Sequence, residues 1–242
     1  MIQVKNISKS FGGNNVLKNI SFNVNRGDSL AIVGKSGAGK SVLLKSLIGL
    51  IQIDDGNIII DDKSIINMSF KEMQKIRSKI GMVFQFGALF DSMNVYDNIA
   101  IALEKRNVSK DKKDEIISRY LEEVGMGGTE MLMPSELSGG MRKRVGIARS
   151  IAMKPTYLLY DEPTTGLDPV MTDSINRLIK KIIDIENVTS IIVTHEMRTV
   201  YNVANRVVLI NEGEIAYNGS PENIKKEENN IIRQFVLGDS TI

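Results

Sequence analysis

The segment GKSGAGKS, from Gly34 to Ser41, places glycines, a lysine and a serine at the spacing G-x-x-x-x-G-K-[S/T] of a phosphate-binding loop. It lies between the apolar run SLAIV and the run SVLLKSLIGL, so we predict a strand before it and a helix after it. In that setting Gly37 and Gly39 allow backbone amides to face phosphates, while Lys40 reaches the β- and γ-phosphates and Ser41 holds Mg²⁺. A glycine turn without a ligand is the alternative, but a chance match to the whole pattern is rare at average residue frequencies.

The run YLLYDEP predicts a buried strand that ends in two adjacent acids, Asp161 and Glu162. Successive residues of a strand face opposite ways, so we expect the two carboxylates to have different roles. We predict that Asp161 binds Mg²⁺ through water and that Glu162 orients or deprotonates the water that attacks a phosphate. The alternative for such acids is a helix cap, because EPTTGLDP leads into a helix that begins near Pro169.

His195, the one histidine of the chain, directly follows the apolar run SIIVT, and Gln85 ends the run GMVFQ. A lone histidine is more often a core or capping residue, and a glutamine at a strand end is usually solvated. If these strands run parallel to those above, both side chains lie at the sheet edge where a nucleotide binds. We therefore predict that His195 contacts the γ-phosphate. The candidate catalytic residues are Lys40, Gln85, Glu162 and His195.

A parallel sheet is needed to position these residues. The runs SLAIVG, GMVFQ, YLLYDE and SIIVTH are apolar and rich in β-branched residues, and helical patterns follow three of them. Strand, loop and helix in this order predict an α/β fold in which ligands bind beyond the carboxyl ends of the strands. The alternating runs IQVKNIS, ISFNVN, NIIIDD and GEIAYNG predict an antiparallel sheet layered beside this core.

A helical segment interrupts the α/β pattern in the middle of the chain. The run SKDKKDEIISRYLEEVG predicts a helix that Ser109 caps and Gly125 ends. We predict a helical subdomain at about residues 87–153, inserted in a single domain of residues 1–242, with a C-terminal extension at residues 221–242. The sequence has no internal repeat, low-complexity run or linker that would divide it further.

The composition limits the classes of protein to consider. The 242 residues are 42% hydrophobic, enough for a sizeable core, and 31 Lys or Arg against 29 Asp or Glu leave a net charge of only +2. The basic run Arg142, Lys143 and Arg144 lies in a region with as many acidic as basic residues, so we expect a solvated or acid-paired helix face and no nucleic-acid partner. Cysteine, a signal peptide and a membrane-spanning run are absent from the sequence, so we expect a soluble, cytoplasmic protein.

The run LSGGM ahead of YLLYDEP completes a set of motifs that resembles the ATPase cassette of ATP-binding cassette (ABC) proteins over nearly the whole chain. The resemblance implies a P-loop NTPase with a RecA-like parallel core, an antiparallel β subdomain and an inserted helical subdomain. The motif residues that it implies are Walker A Gly34 to Ser41, Q-loop Gln85, signature Leu137 to Met141, Walker B ending at Asp161, catalytic Glu162, D-loop Asp168 and switch His195. The ATP-contacting residues that it implies are Phe11, stacked on adenine, and Gly34, Lys35, Ser36, Gly37, Ala38, Gly39, Lys40, Ser41 and Val42. The Mg²⁺ ligands that it implies are Ser41, Gln85 and Asp161.

The resemblance also explains a serine and two glycines at the start of a helix. In such cassettes two subunits bind head to tail, and the signature of one closes over the ATP held by the Walker A loop of the other. Ser138 and the amides of Gly139 and Gly140, followed by Met141, would then contact the γ-phosphate of the partner's ATP. One chain carries two half-sites, so the resemblance implies a homodimer that uses ATP and Mg²⁺ and drives integral-membrane permease subunits.

Three segments are similar to the ATPases of Mce-type lipid transporters, the group that includes the maintenance-of-lipid-asymmetry system. They are FQFGALFDSMNVYDNIA, the signature LSGGM with its fifth-position methionine, and IIRQFVLG near the C-terminus. This similarity implies transport of phospholipid or another envelope lipid, an Mce-domain protein and a small accessory protein as partners, and a place on the inner face of the bacterial cytoplasmic membrane.

Three other functions stay open. An importer ATPase for amino acids or other small solutes shares every catalytic residue. A soluble cassette protein acting on ribosomes or DNA usually joins two cassettes or inserts long coiled coils, which this chain does not. A nucleotide kinase or GTPase explains the phosphate loop but leaves LSGGM and His195 without a role.

Two sets of apolar residues are expected to be covered by other parts of the protein or by a partner. The first lies in the loop region after the predicted strand GMVFQ and consists of Phe86, Leu89, Phe90 and Met93. The family docks a cytoplasmic helix of the membrane subunit here, and an inward-facing core of the subdomain is the alternative. The second lies on one face of a short tail helix and consists of Ile231, Ile232, Phe235 and Val236. Such a helix is unstable alone, so it packs on its own domain or on a partner, and we expect contact with the second subunit or an accessory protein.

Overall fold

The computed structural model describes residues 1–104 and 108–238; residues 105–107 of the predicted subdomain and residues 239–242 of the predicted extension lie outside the described residues. The strands are β1 (Ile2–Phe11), β2 (Asn14–Val24), β3 (Ser29–Val33), β4 (Asp55–Ile60), β5 (Lys63–Ser64), β6 (Ile80–Val83), β7 (Tyr157–Asp161), β8 (Thr189–Thr194), β9 (Arg206–Asn211) and β10 (Glu214–Gly219). The helices are α1 (Lys40–Leu47), α2 (Phe70–Arg77), α3 (Val95–Leu103), α4 (Lys110–Glu123), α5 (Gly139–Ala152), α6 (Pro169–Glu186), α7 (Met197–Val203), α8 (Pro221–Ile224) and α9 (Asn230–Leu237), with a 3-10 turn at Pro134–Glu136.

The core is a sheet in the order β10-β9-β3-β8-β7-β6, in which all strands except β10 run parallel. Strands β3 and β8 are buried along their whole lengths, as expected for apolar strands covered on both faces. The predicted strands SLAIV, GMVFQ, YLLYDE and SIIVTH are β3, β6, β7 and β8, so the predicted α/β class with a parallel P-loop core is confirmed. Because these strands are parallel, the residues that follow them meet at one edge of the sheet.

Alternate residues of β3 face two different layers, because side chains of a strand alternate between faces. Leu30 and Ile32 pack in one cluster with buried residues of α1 and of the antiparallel sheet. Ala31 and Val33 pack on the other face, in a cluster that includes residues of α7, α8 and Ile232 of α9. The central strand is therefore fixed from both sides, which gives the loop after it a rigid base.

The predicted antiparallel sheet has the order β2-β1-β4-β5 and contains three of the four predicted segments. The fourth, GEIAYNG, is β10 and lies at the edge of the parallel sheet, antiparallel to β9, so its predicted place is wrong. The cause is the turn between β9 and β10, where Glu212 and Gly213 have positive φ angles of 49° and 83°. A two-residue turn of this type matches the twist of adjacent strands and pairs β10 with the strand just before it. Strand β9 is not among the predicted strands.

Helices α3, α4 and α5 lie in the predicted insertion between β6 and β7 and share a buried core. Helix α4 begins after Ser109 and ends before Gly125, so its predicted bounds are confirmed, although the Ser109 side chain makes no capping hydrogen bond. Across residues 1–104 and 108–238, each helix is too short or too polar to cross a bilayer.

The described part of the C-terminal extension packs on its own domain through α8 and α9. Ile232 is buried, and Phe235 and Val236 pack half-buried on the cluster that also holds Ala31. Ile231, the remaining member of the predicted apolar face, is 44% exposed. Contact of this helix with a partner stays a prediction.

Candidate functional site

The four predicted catalytic residues, Lys40, Gln85, Glu162 and His195, follow strands of one sheet and meet at one cavity. The phosphate loop follows β3, Glu162 follows β7 and His195 follows β8, and these strands are adjacent in the sheet. Gln85 lies just beyond β6, next to β7. The cavity has a volume of about 740 Å³ and is lined by Val16, Lys35, Ser36, Gly37, Gly39, Lys40, Ser41, Val42, Gln85, Glu162, Thr165, His195 and Phe235.

The phosphate loop presents the amino terminus of α1 to this cavity. Gly39, directly before the helix, has a φ of 93°, a conformation that glycine adopts without steric cost. Lys40 is buried, and its Nζ donates hydrogen bonds to the carbonyl oxygens of Gly34 at 2.8 Å and Lys35 at 3.1 Å. Burial lowers the pKa of Lys40, and the nearby carboxylate of Glu162 opposes this effect. Free amides at a helix start and a buried ammonium make a strong site for an anion.

Ser41 lines the cavity and contacts Asp161, the last residue of β7. The Ser41 hydroxyl donates to the Asp161 carboxylate at 3.0 Å. No cluster of three or more His, Cys, Asp or Glu side chains suited to a metal occurs in the described part of the chain. Mg²⁺ is commonly held by one or two side-chain oxygens together with substrate phosphates and water, so this pair fits magnesium bound with a nucleotide.

Glu162 is the most connected acid of the site. Its carboxylate contacts Nδ1 of His195 at 2.9 Å, accepts from the Thr165 hydroxyl at 3.0 Å, and lies 3.6 Å from Nζ of Lys40. Its backbone has a φ of 51°, which is uncommon for a residue with a side chain. Such conformations are retained where surrounding contacts hold them, often at functional sites. The carboxylate is therefore held in one direction, facing the phosphate loop.

The signature residues lie away from the cavity of their own chain. Ser138 caps α5, because its hydroxyl accepts from the amide of Met141 at 3.3 Å. Gly139 and Gly140 form the first turn of α5, and none of these residues lines the cavity. Met141 packs half-buried on the core of the helical subdomain.

Asp168 caps α6 by accepting hydrogen bonds from the amides of Val170 at 2.9 Å and Met171 at 3.0 Å. Helix α6 begins at Pro169, as predicted. The capping carboxylate is thus Asp168 and not Asp161, which contacts the phosphate-loop serine.

Sequence reasoning missed three cavity residues, Val16, Thr165 and Phe235. The apolar face that contains Phe235 was visible in the sequence, but its position over the cavity depends on how α9 packs. Phe11, by contrast, is 47% exposed and is not among the lining residues, so its contact with adenine stays a prediction.

The predicted solvated face at Arg142, Lys143 and Arg144 is correct only for Arg142, which is exposed. Lys143 is buried and donates to two backbone carbonyls. Arg144 donates to the carbonyl of Val124 and to the Ser174 hydroxyl. Neither side chain pairs with an acid through these bonds, because both satisfy carbonyl or hydroxyl oxygens at helix and turn ends.

In the apolar loop after Gln85, some of the predicted apolar side chains are exposed to solvent and others pack inward. Phe86 is 76% exposed and Phe90 is 49% exposed, whereas Leu89 packs on the core of the subdomain. Buried Asn98 of α3 holds this loop, accepting from the amide of Phe90 at 2.8 Å and donating to the carbonyl of Met93 at 2.9 Å. Two phenylalanines are therefore presented to solvent on a fixed loop.

Together, the fold and the cavity define a P-loop nucleoside triphosphatase. The family model described as ABC transporter matches residues 17–165. The chain belongs to the ABC transporter family and is an ATP-binding subunit with ATPase activity. The resemblance found in the sequence is thereby confirmed.

Three relatives illustrate the range within this family. The probable ribonucleotide transport ATP-binding protein mkl of Mycobacterium leprae is 40% identical over 98% of this chain and 69% of its own length. The intermembrane phospholipid transport system ATP-binding protein MlaF of Haemophilus influenzae is 36% identical over 99% of this chain and 91% of its own. The methionine import ATP-binding protein MetN of Clostridium tetani is 39% identical over 93% of this chain and 70% of its own.

Two solved structures share the fold. CbiO1 of Clostridium perfringens, part of the ABC transporter complex cbiONQ, has a TM-score of 0.86 at 31% identity over 94% of this chain and 91% of its own. The ATP-binding cassette MJ0796, solved as a dimer in a post-hydrolysis state with ADP and Pi, has a TM-score of 0.84 at 29% identity over 91% of this chain and 99% of its own.

Proposed function

We propose that the chain is the ATPase of a phospholipid transporter, working as a head-to-tail homodimer that drives integral-membrane permease subunits. The main support for the ATPase mechanism is that Lys40, Glu162 and His195 lie in contact at the phosphate-loop cavity. The dimeric cassette MJ0796 supports the dimer. The position of Ser138 outside its own cavity supports a signature that serves the partner's ATP.

In the proposed mechanism each residue has a separate task. The amides of the phosphate loop and Lys40 bind the β- and γ-phosphates, and Lys40 exchanges its carbonyl partners in the loop for phosphate oxygens. Glu162 accepts a proton from the attacking water, and His195 holds the carboxylate and contacts the γ-phosphate. Gln85 reaches the same region from β6. Signature residues of the second subunit stabilise the charge that develops on the transferred phosphate.

Ser41, Asp161 and Gln85 would hold Mg²⁺. The Ser41 hydroxyl and the Asp161 carboxylate already lie within hydrogen-bonding distance. When bound, Mg²⁺ neutralises negative charge on the β- and γ-phosphates.

The lipid substrate is supported by similarity along the whole chain. The match to MlaF covers 99% of this chain and 91% of MlaF, whereas the matches to MetN and mkl cover only 70% and 69% of those proteins. The signature methionine, Met141, and the tail IIRQFVLG belong to the segments that resemble Mce-type ATPases. We infer an Mce-domain lipid-binding protein and a small accessory protein as partners, with the ATPase on the inner face of the bacterial cytoplasmic membrane.

Import of methionine or another small solute is the second candidate, because MetN is 39% identical to this chain. The two candidates share the ATPase site and differ in the membrane subunits and the cargo. The exposed Phe86 and Phe90 are the proposed contact for the membrane subunit in both.

The test is purification of tagged Glu162→Gln with ATP from detergent-solubilised native membranes, followed by mass spectrometry of proteins and lipids. We expect a permease, an Mce-domain protein and bound phospholipid. A permease with a solute receptor would favour import instead, and recovery of ribosomes or of no membrane protein would contradict the transporter assignment. Lys40→Ala, purified in parallel, controls for recovery that does not depend on bound ATP.

A further inference from the structure

Lys143 of α5 is a buried cation attached to backbone oxygens. It lies just after the signature segment and is 4% exposed. Its Nζ donates to the carbonyl oxygen of Pro163 at 2.9 Å and to that of Thr165 at 2.6 Å. Burial lowers the pKa of Lys143, and the charges of Glu196 and Glu162 oppose this effect. Because an ammonium is costly to bury without hydrogen bonds, these contacts fix the helix to the turn that contains both carbonyls.

This turn carries the proposed catalytic carboxylate. Glu162 directly precedes Pro163 and has the unfavourable φ of 51°. The Thr165 hydroxyl, two residues from the carbonyl of Pro163, donates to the Glu162 carboxylate at 3.0 Å. The buried Thr164 hydroxyl donates to Glu196 at 2.9 Å. Lys143 therefore supplies two of the bonds that maintain the conformation of the turn.

Two further contacts join the same face of α5 to the start of α6. Gly140, Lys143 and Arg144 are spaced to share one face of a helix. Arg144 donates to the Ser174 hydroxyl at 2.7 Å. The Met171 methyl lies so close to Gly140 that a Cβ added there would be 2.3 Å from it. The first turns of α5 thus contact both the catalytic turn and the helix that follows it.

We propose that Lys143 is a positioning residue that makes the signature helix and the catalytic turn of one subunit move together. Closure of α5 over the partner's ATP then sets Glu162 against the ATP of its own subunit. In each subunit, closure of the signature over the partner's ATP would thereby position Glu162 for hydrolysis at the subunit's own ATP site. This inference rests on the proposed roles of Glu162 and of the signature.

The test compares ATP hydrolysis, ATP binding and ATP-dependent dimer formation of the full chain with those of Lys143→Met. This change removes the donors and keeps an unbranched apolar stem. We expect kcat to fall about 10- to 100-fold, as when a catalytic group is displaced by about 1 Å, while KM and dimer formation stay unchanged. Lys143→Arg keeps the charge and the donors and should restore most of the lost kcat.

Controls separate positioning from general stability. Lys180→Met removes an exposed ammonium from α6 and should leave kcat, KM and Tm unchanged. If the loss of kcat in Lys143→Met comes with an equal rise in KM or is not relieved by Lys143→Arg, the positioning role is overturned. If Lys143→Met does not fold, the same measurements are made on Lys143→Gln, whose side chain is shorter and carries a neutral donor. An unchanged kcat in Lys143→Gln overturns the proposal. A reduced kcat at unchanged KM supports it.

Glu162→Gln, measured alongside, distinguishes failure of the proposed catalytic role of Glu162 from failure of the proposed role of Lys143. Normal hydrolysis by Glu162→Gln would contradict the proposed catalytic role of that carboxylate, and the proposed role of Lys143 would fail with it. If Glu162→Gln is inactive and Lys143→Met keeps its full kcat, only the role of Lys143 is overturned.

Discussion

Nδ1 of His195 lies 2.9 Å from Oε2 of Glu162, at the ends of two adjacent parallel strands. The two side chains thus form a pair whose geometry is set by the register of β7 and β8. His195 is half-exposed toward the cavity, whereas the Glu162 side chain is 13% exposed. The pair places an oriented carboxylate beside the phosphate loop.

Glu162→Gln should bind ATP but hydrolyse it about 10²- to 10⁴-fold more slowly, because the amide no longer accepts a proton from water. The variant should accumulate as an ATP-bound dimer. Phosphate release and size-exclusion chromatography with ATP measure the two effects. Lys40→Ala is the contrasting variant, since it should weaken ATP binding itself. Hydrolysis by Glu162→Gln at the normal rate would contradict its role as general base.

Ser138→Arg should prevent ATP-dependent dimer formation while the monomer still binds ATP. The arginine adds bulk and charge at the proposed contact with the partner's γ-phosphate, but it lies outside the chain's own cavity. Ser138→Ala is the matched control, because it removes the cap of α5, at a cost of about 1 kcal/mol, without adding bulk. Nucleotide titration and analytical ultracentrifugation measure binding and assembly. Dimers of Ser138→Arg that form normally with ATP would argue against the head-to-tail arrangement.

The double variant Phe86→Ser, Phe90→Ser should lose binding to the membrane subunit while retaining the ATPase activity of the isolated protein. Both side chains are exposed on a loop that Asn98 holds, and their loss removes apolar area from the proposed contact. Ile185→Ser changes a residue that is 56% exposed at the end of α6 and serves as the control. Copurification of the permease with each variant is the measurement, and equal recovery with the double variant would place the docking surface elsewhere.

Asp61→Asn should destabilise the protein at neutral pH, and the effect should shrink as the pH falls from about 4 toward 2. Burial acts to raise the pKa of Asp61, but hydrogen bonds from Lys79 at 2.7 Å and Tyr157 at 2.6 Å outweigh it and hold the pKa well below its usual range. The stabilisation is therefore complete above the unfolded pKa of about 4 and is lost as pH falls toward the folded value.

At neutral pH the loss in free energy of unfolding should be about 1.5–3 kcal/mol. Urea unfolding at pH near 7 and near 2 measures the difference, because at about pH 3 most of the native carboxylate is still ionised. Asp62→Asn changes the exposed neighbour in the same turn and should have little effect at either pH. An equal loss at both values would show that the charge of Asp61 is not responsible.

The sequence was most informative where local pattern and chemistry coincide. The strands before Gly34, Glu162 and His195 are apolar runs that end at polar residues, and a parallel sheet brings such ends together. Helix starts at Lys110 and Pro169 were predictable from residue types typical of helix starts, a serine at position 109 and a proline at position 169.

Packing between distant segments was not predictable from local pattern. β10 alternates like a strand of the antiparallel sheet, yet the Glu212–Gly213 turn joins it to β9. Lys143 belongs to a basic run that resembles a solvated face, but the turn after β7 encloses it. Asn98 has no distinguishing pattern, since its importance comes from the loop that folds over it.

The position of Phe235 at the rim of the nucleotide cavity has a practical consequence for spectroscopy. The chain contains no tryptophan, so Phe235→Trp would introduce a single indole emitter beside the phosphate loop. Its emission wavelength and quenching would report on the water content of the cavity as nucleotide enters and leaves. The packing of α9 on its own domain thus provides an optical probe of the catalytic cycle in a protein that otherwise has no tryptophan background.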